Sequence, residues 1–140
     1  SIFLKIIKFI QGVINHLEFL SFRCKYFVRI KSDGIYLNSK KIIDKRATLQ
    51  FAVFNVLIDH YIHELKHGPS FISLSKICEE LNKKSIYIEN PQIQISNIIY
   101  KIRLSIHKEV SKNCEIIISK KWKGYRLNNY VFLGRSDDFF

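Results

Sequence analysis

Cysteine is scarce and unpaired: Cys24, Cys78 and Cys114 are widely separated, odd in number, and no Cys-x-x-Cys occurs. A disulfide framework or a zinc site is therefore not indicated, and the three read as buried thiols in a reducing, cytoplasmic setting. Long apolar runs are also missing. The most apolar stretch, residues 2–20, is broken by Lys5 and Lys8 and then by polar residues to its end. That is too interrupted for a membrane span or for the apolar centre of a signal peptide, and no membrane partner is expected. Methionine is absent, so Ser1 is not an initiator; either a single residue has been removed or the chain continues upstream.

What the chain has in excess is positive charge. Its 140 residues are 47% hydrophobic, enough for a buried core, and carry a formal net charge of +11 with a pI near 9.7. Such a balance points to an anionic partner. The excess is segregated: residues 21–46 carry +6 and residues 91–140 carry +5, against +1 for 1–20 and −1 for 47–90. A merely solvated surface has no reason to divide its charge this way.

Residues 1–21 predict an amphipathic helix. Ile2, Phe3, Ile6, Ile7, Ile10, Val13, Ile14 and Leu17 form an apolar stripe, largely opposite Lys5, Lys8, Gln11, Asn15 and Glu18. It is expected to dock on the rest of the chain or to form a homodimer. Residues 22–31 alternate, with Phe22, Cys24, Tyr26, Val28 and Ile30 against Arg23, Lys25, Arg29 and Lys31, which predicts a half-buried strand. Turn residues Ser32-Asp33-Gly34 and Asn38 to Lys41 flank Ile35-Tyr36-Leu37, and Ile42-Ile43 follow, so a small antiparallel sheet is expected.

From Thr48, placed to cap it, the period becomes helical. Leu49, Val53, Val56, Leu57, Tyr61 and Leu65 form the expected buried stripe, and Gly68-Pro69 ends it. His60, His63 and His67 recur beside Asp59 and Glu64 at a spacing that suits a metal. Histidines with carboxylates on a solvated helix face are common, however, and no fourth ligand or nucleophile accompanies them. No metal, cofactor or enzymatic role is expected. A compact helix over Leu74 to Leu81 and a loop over 82–90 lead to Pro91.

The stretch that organises the rest is Pro91 to Leu127. Ile95, Ile98, Ile102 and Ile106 recur at steps of three and four and share a face, with Gln94, Asn97, Lys101 and Lys108 opposite. Ile116 to Ile118, a basic cluster, a turn at Lys123-Gly124 and then Tyr125-Arg126-Leu127 predict a hairpin with a cationic tip. The segment Ile95-Ser96-Asn97-Ile98-Ile99-Tyr100-Lys101-Ile102 resembles the recognition-helix core of OmpR/PhoB-type winged-helix DNA-binding domains. Gly124-Tyr125-Arg126-Leu127 resembles the end of their wing. The resemblance implies an α+β winged helix-turn-helix: a small N-terminal antiparallel sheet, a three-helix core and a C-terminal β-hairpin wing, here preceded by an extra amphipathic helix. It divides the chain into a helix at 1–21, a DNA-binding domain at 22–130 and a tail at 131–140. Ser73 falls where that family caps its second helix. Lys83, Lys84, Ile86 and Tyr87 fall where some members contact RNA polymerase or another regulator.

The implied function is sequence-specific binding of double-stranded, AT-rich DNA by a transcription regulator. Asn and Gln suit adenine in the major groove, which gives Gln92, Gln94 and Asn97 the reading role, beside Ser96 and Tyr100. Lys101, Lys108, Lys120, Lys121, Lys123 and Arg126 suit phosphate, and by resemblance Lys121 takes the place of a minor-groove arginine. Trp122 is expected to lie against the sugar-phosphate edge or to pack the hairpin onto the body. The helix carries fewer basic residues at its centre than the family usually has. The alternative is therefore a winged-helix protein-interaction module, with Ile99 and Tyr100 as its apolar patch.

Overall fold

A computed structural model describes residues 1–21, 26–64, 70–129 and 131–135, the side chains of 14–21 and of Arg135 excepted. Four helices, α1 (Ile2–Ser21), α2 (Thr48–His63), α3 (Leu74–Lys83) and α4 (Pro91–Glu109), accompany six strands. These are β1 (Tyr26–Lys31), β2 (Gly34–Leu37), β3 (Lys40–Asp44), β4 (Ile117–Lys120), β5 (Gly124–Leu127) and β6 (Val131–Arg135). The class is α+β. Among the described residues no helix is long and apolar enough to cross a membrane. Phe22, Cys24, Leu65, His67 and the Gly68-Pro69 stop lie outside the described residues.

The larger sheet has the order β3-β2-β1-β6 and is mixed rather than antiparallel. β1, β2 and β3 pair antiparallel, as their alternation and turn residues predict, whereas β6 runs parallel to β1 with Tyr26 opposite Val131. Part of the expected C-terminal tail is thus a strand. Tyr61 on α2 helps hold it, its hydroxyl donating to the Val131 carbonyl at 2.7 Å. Between β2 and β3 the register slips so that Ile42 has no partner, which lets Ile42 and Ile43, although adjacent, both be buried. The Ile42 carbonyl instead accepts from the Ser105 hydroxyl of α4 at 2.5 Å, tying the sheet to that helix. An ionic cluster fixes the β2–β3 edge: Tyr36 donates to Asp33, Lys41 bridges Asp33 and Asp44, and Arg46 holds Asp44. The Tyr36 hydroxyl and Lys41 lower the Asp33 carboxyl below its ordinary range, and Arg46, then Lys41, lower that of Asp44 further.

α2 is the central helix. Ala52, Val53, Phe54, Val56, Leu57 and Ile58 are all buried, so its burial runs round the helix instead of along one stripe, because α3, α4, β3 and β5 surround it. Leu49 departs from expectation: it is 41% exposed, since the first turn projects beyond these neighbours. Thr48 is the first helical residue and not the cap; the N-cap is Ala47, entered from a turn closed by Ala47 N–H to the Asp44 carbonyl. α3 is capped as expected, with the Ser73 side chain accepting from Lys76 N–H. α1 does not dock over its first thirteen residues. Ile2, Phe3, Leu4, Ile6, Ile7, Phe9, Ile10 and Val13 are all exposed.

The hairpin β4–β5 stands against the start of α3 through a single backbone bridge. Ile72 N–H donates to the Tyr125 carbonyl at 2.7 Å and Tyr125 N–H to the Ile72 carbonyl at 3.0 Å. Gly124 makes this approach sterically possible. Its φ is +113°, and a Cβ there would lie 1.9 Å from the Ile72 oxygen. Gly124→Ala is therefore expected to destabilise the protein by about 1–3 kcal/mol from backbone strain alone, with the steric conflict added. Urea unfolding measures this, and an unchanged midpoint would contradict the geometry.

Candidate functional site

α4 and the hairpin form one unit whose two halves are joined by side chains. Pro91 begins the helix, where its missing N–H is no loss. Ile95, Ile98, Ile99, Ile102 and Ile106 fill its inner face, none more than 7% exposed. This face is wider than the expected four-residue stripe because α4 packs against α2, α3 and β3 together. Arg103 Nη2 donates to the Ile117 carbonyl at 3.0 Å and approaches Ser119 Oγ at 3.4 Å. Ser96 Oγ lies 3.4 Å from the Tyr125 hydroxyl. The orientation of the hairpin relative to α4 is thus set from both ends of the contact.

The hairpin ends in a four-residue turn in which Lys123 N–H donates to the Lys120 carbonyl at 3.0 Å. It turns over Lys121, Trp122 and Lys123, one step before the expected Lys123-Gly124, and Gly124 opens β5. Trp122 takes the third turn position with φ +69°, where glycine or asparagine is the ordinary choice. It is 93% exposed, so it does not pack onto the body. Lys121 Nζ sits 5.5 Å from its ring centroid.

Nine of the twelve expected contact residues are exposed on this unit. Gln92, Asn97, Tyr100, Lys101 and Lys108 are exposed on α4, and Lys120, Lys121, Trp122 and Lys123 are exposed at the hairpin tip. Among the described residues, no carboxylate lies within ion-pair distance of Lys101, Lys108, Lys120, Lys121 or Lys123. Lys41 and Arg46 near the β2–β3 edge, and Lys76 and Lys83 on α3, are matched by acids. The other three contact residues are engaged internally. The Gln94 side chain turns back and accepts from Asn90 N–H at 2.7 Å. The Ser96 hydroxyl donates to the Gln92 carbonyl at 2.7 Å. The Arg126 guanidinium donates to Asn129 Oδ1 and to the Leu127 carbonyl, and stacks over Phe71.

Ile99 is 1% exposed, so the patch expected from Ile99 and Tyr100 does not form. Two residues that sequence reasoning passed over, Ile93 and Leu104, are exposed on the same face as Tyr100. Their helical spacing from Tyr100, seven residues before it and four after it, was the signal that could have found them. Elsewhere, Lys84 and Tyr87 are exposed beyond α3, while Ile86 is half-buried and Lys83 pairs with Glu80. His60 bonds through Nε2 to the Ser70 carbonyl at 2.9 Å and to its hydroxyl at 3.1 Å. With Asp59, His63, Lys76, Glu80 and Lys84 it edges an open cavity between α2 and α3.

Compared with protein-family models, with curated proteins and with solved structures, the chain matches none of them, and its own surface chemistry carries the functional reading.

Proposed function

We propose that this chain is a winged-helix DNA-binding domain of a transcription regulator, with α4 as the recognition helix and β4–β5 as the wing. The observation that carries the reading is the cationic tip beside the free face of α4: five lysines without acidic partners among the described residues, with an exposed amide and an exposed tryptophan. A helix fits the major groove, and a basic hairpin beside it suits the phosphate backbone or minor groove. Asn97, exposed and near the start of α4, suits bidentate contact with adenine. Trp122 adds support. A left-handed backbone costs a bulky residue roughly 1–2 kcal/mol relative to glycine, and a side chain this exposed regains none of it by burial. Stacking against a nucleic-acid backbone would give that residue a use.

Fluorescence anisotropy with AT-rich and GC-rich duplexes tests the reading. Affinity is expected to fall by about two orders of magnitude between roughly 50 and 200 mM salt. Lys121→Ala should weaken all duplexes alike and reduce the salt slope by about one contact, while Asn97→Ala should erode the AT preference by about tenfold. Trp122→Gly should stabilise the fold and weaken binding. Binding that is absent, or indifferent to salt and to Lys121→Ala, would overturn the proposal.

We further propose that two copies join through α1. Phe3, Ile6, Ile10, Val13, Leu17 and Leu20 recur at alternating steps of three and four, an apolar seam with heptad spacing, and Lys5 and Lys8 fall outside it. Phe3, Ile6, Ile10 and Val13 of that seam are left exposed among the described residues. Pairing would present two recognition helices to one duplex. Sedimentation velocity is expected to show a dimer, reduced to monomer by combining Ile6→Glu with Ile10→Glu. A monomeric parent protein at micromolar concentration would contradict the pairing.

A further inference from the structure

We infer that the free face of α4 recognises thymine methyl groups, an inference that rests on the DNA-binding reading above and specifies what that helix selects. Ile93, Asn97, Tyr100 and Leu104 follow one another at steps of four, three and four, so they form a single stripe along α4. It spans about 16 Å at the ordinary helical rise. Ile93 is 58% exposed, Tyr100 61% and Leu104 48%. None of the three completes the core, because the five inner isoleucines already fill that side of the helix. Solvation does not ask for them either: Gln, Glu or Lys would serve an exposed position as well or better than Ile or Tyr.

The composition of the stripe points to its occupant. An apolar surface built for a protein or a bilayer would be continuous, whereas here Asn97 interrupts the stripe and Lys101 and Lys108 border it. An A·T pair offers this mixture in the major groove. Adenine presents the N7 acceptor and the N6 amino donor, and thymine presents O4 beside its 5-methyl group. An amide suits the first pair of groups and an aliphatic side chain covers the methyl. A G·C pair presents two acceptors on guanine and a donor on cytosine, and it has no methyl. The bordering lysines, both on one flank of the stripe, suit the phosphates along one side of the groove. Asn97 would therefore read adenine, while Ile93 and Leu104, one turn before it and two turns after it, would cover methyl groups of neighbouring pairs.

The test compares the full chain on a short A·T duplex and on the same duplex with deoxyuridine in place of thymidine, which deletes only the methyl groups. Each methyl covered is worth about fourfold in affinity, so the uridine duplex should bind at least about fourfold more weakly. Combining Ile93→Ala with Leu104→Ala should abolish the distinction between thymidine and deoxyuridine and leave the salt slope unchanged. A G·C duplex carrying 5-methylcytosine, which puts a methyl at the equivalent position, should bind more tightly than its unmethylated form. The decisive comparison uses the unaltered protein, so it does not depend on a variant folding. Equal, salt-dependent binding to the thymidine and uridine duplexes would overturn the methyl inference while sparing the DNA-binding reading. Failure to bind any duplex would remove both.

Discussion

Two backbone hydrogen bonds between Ile72 and Tyr125, made possible by the missing Cβ of Gly124, determine where the hairpin stands. A two-stranded ribbon has little stability of its own, and this approach adds to the packing of β5 on α2 and the burial of Ile117 and Leu127. With it, the hairpin is pinned just behind its tip to the segment entering α3, and at its base to α4 through Arg103. The tip lysines therefore have a defined position relative to the face of α4. Binding energy need not be spent on ordering the hairpin when a ligand arrives.

Much of this architecture was legible in the residues, where periodicity and backbone chemistry agreed. Ile95, Ile98, Ile102 and Ile106 marked the inner face of α4, and Ser73 marked the start of α3. The turn residues around Asp33-Gly34 and Asn38-Ser39 marked the hairpins of the sheet. What escaped depended on long-range packing. β6 pairs with β1 across more than a hundred residues of intervening chain, and local alternation carries no information about such a partner. The burial around α2, and the exposure of Leu49 at its end, follow from how many elements surround it.

The candidate surface was legible to a similar depth. Asn97, Lys101 and the tip lysines, expected on the outer face, are exposed. Gln94, Ser96 and Arg126 have the same chemistry, yet the structure spends them on holding α4 and the hairpin in place. A polar side chain near a helix start or a strand end has backbone groups within reach, and sequence alone does not say which use prevails. Ile99 and Leu104 show the converse: two apolar residues of one helix, one buried and one exposed, separated by the side of α4 they occupy. The surface that emerges combines lysines without acidic partners among the described residues with exposed apolar and amide groups.

The most direct test of the account is a backbone amide NMR titration of the intact chain with an AT-rich duplex. The account predicts that the largest shift changes fall on residues 92–108 and 120–124, with the outer sheet edge at Asp33, Lys41 and Asp44 little affected. Changes confined to other surfaces, with α4 and the hairpin tip silent, would contradict it.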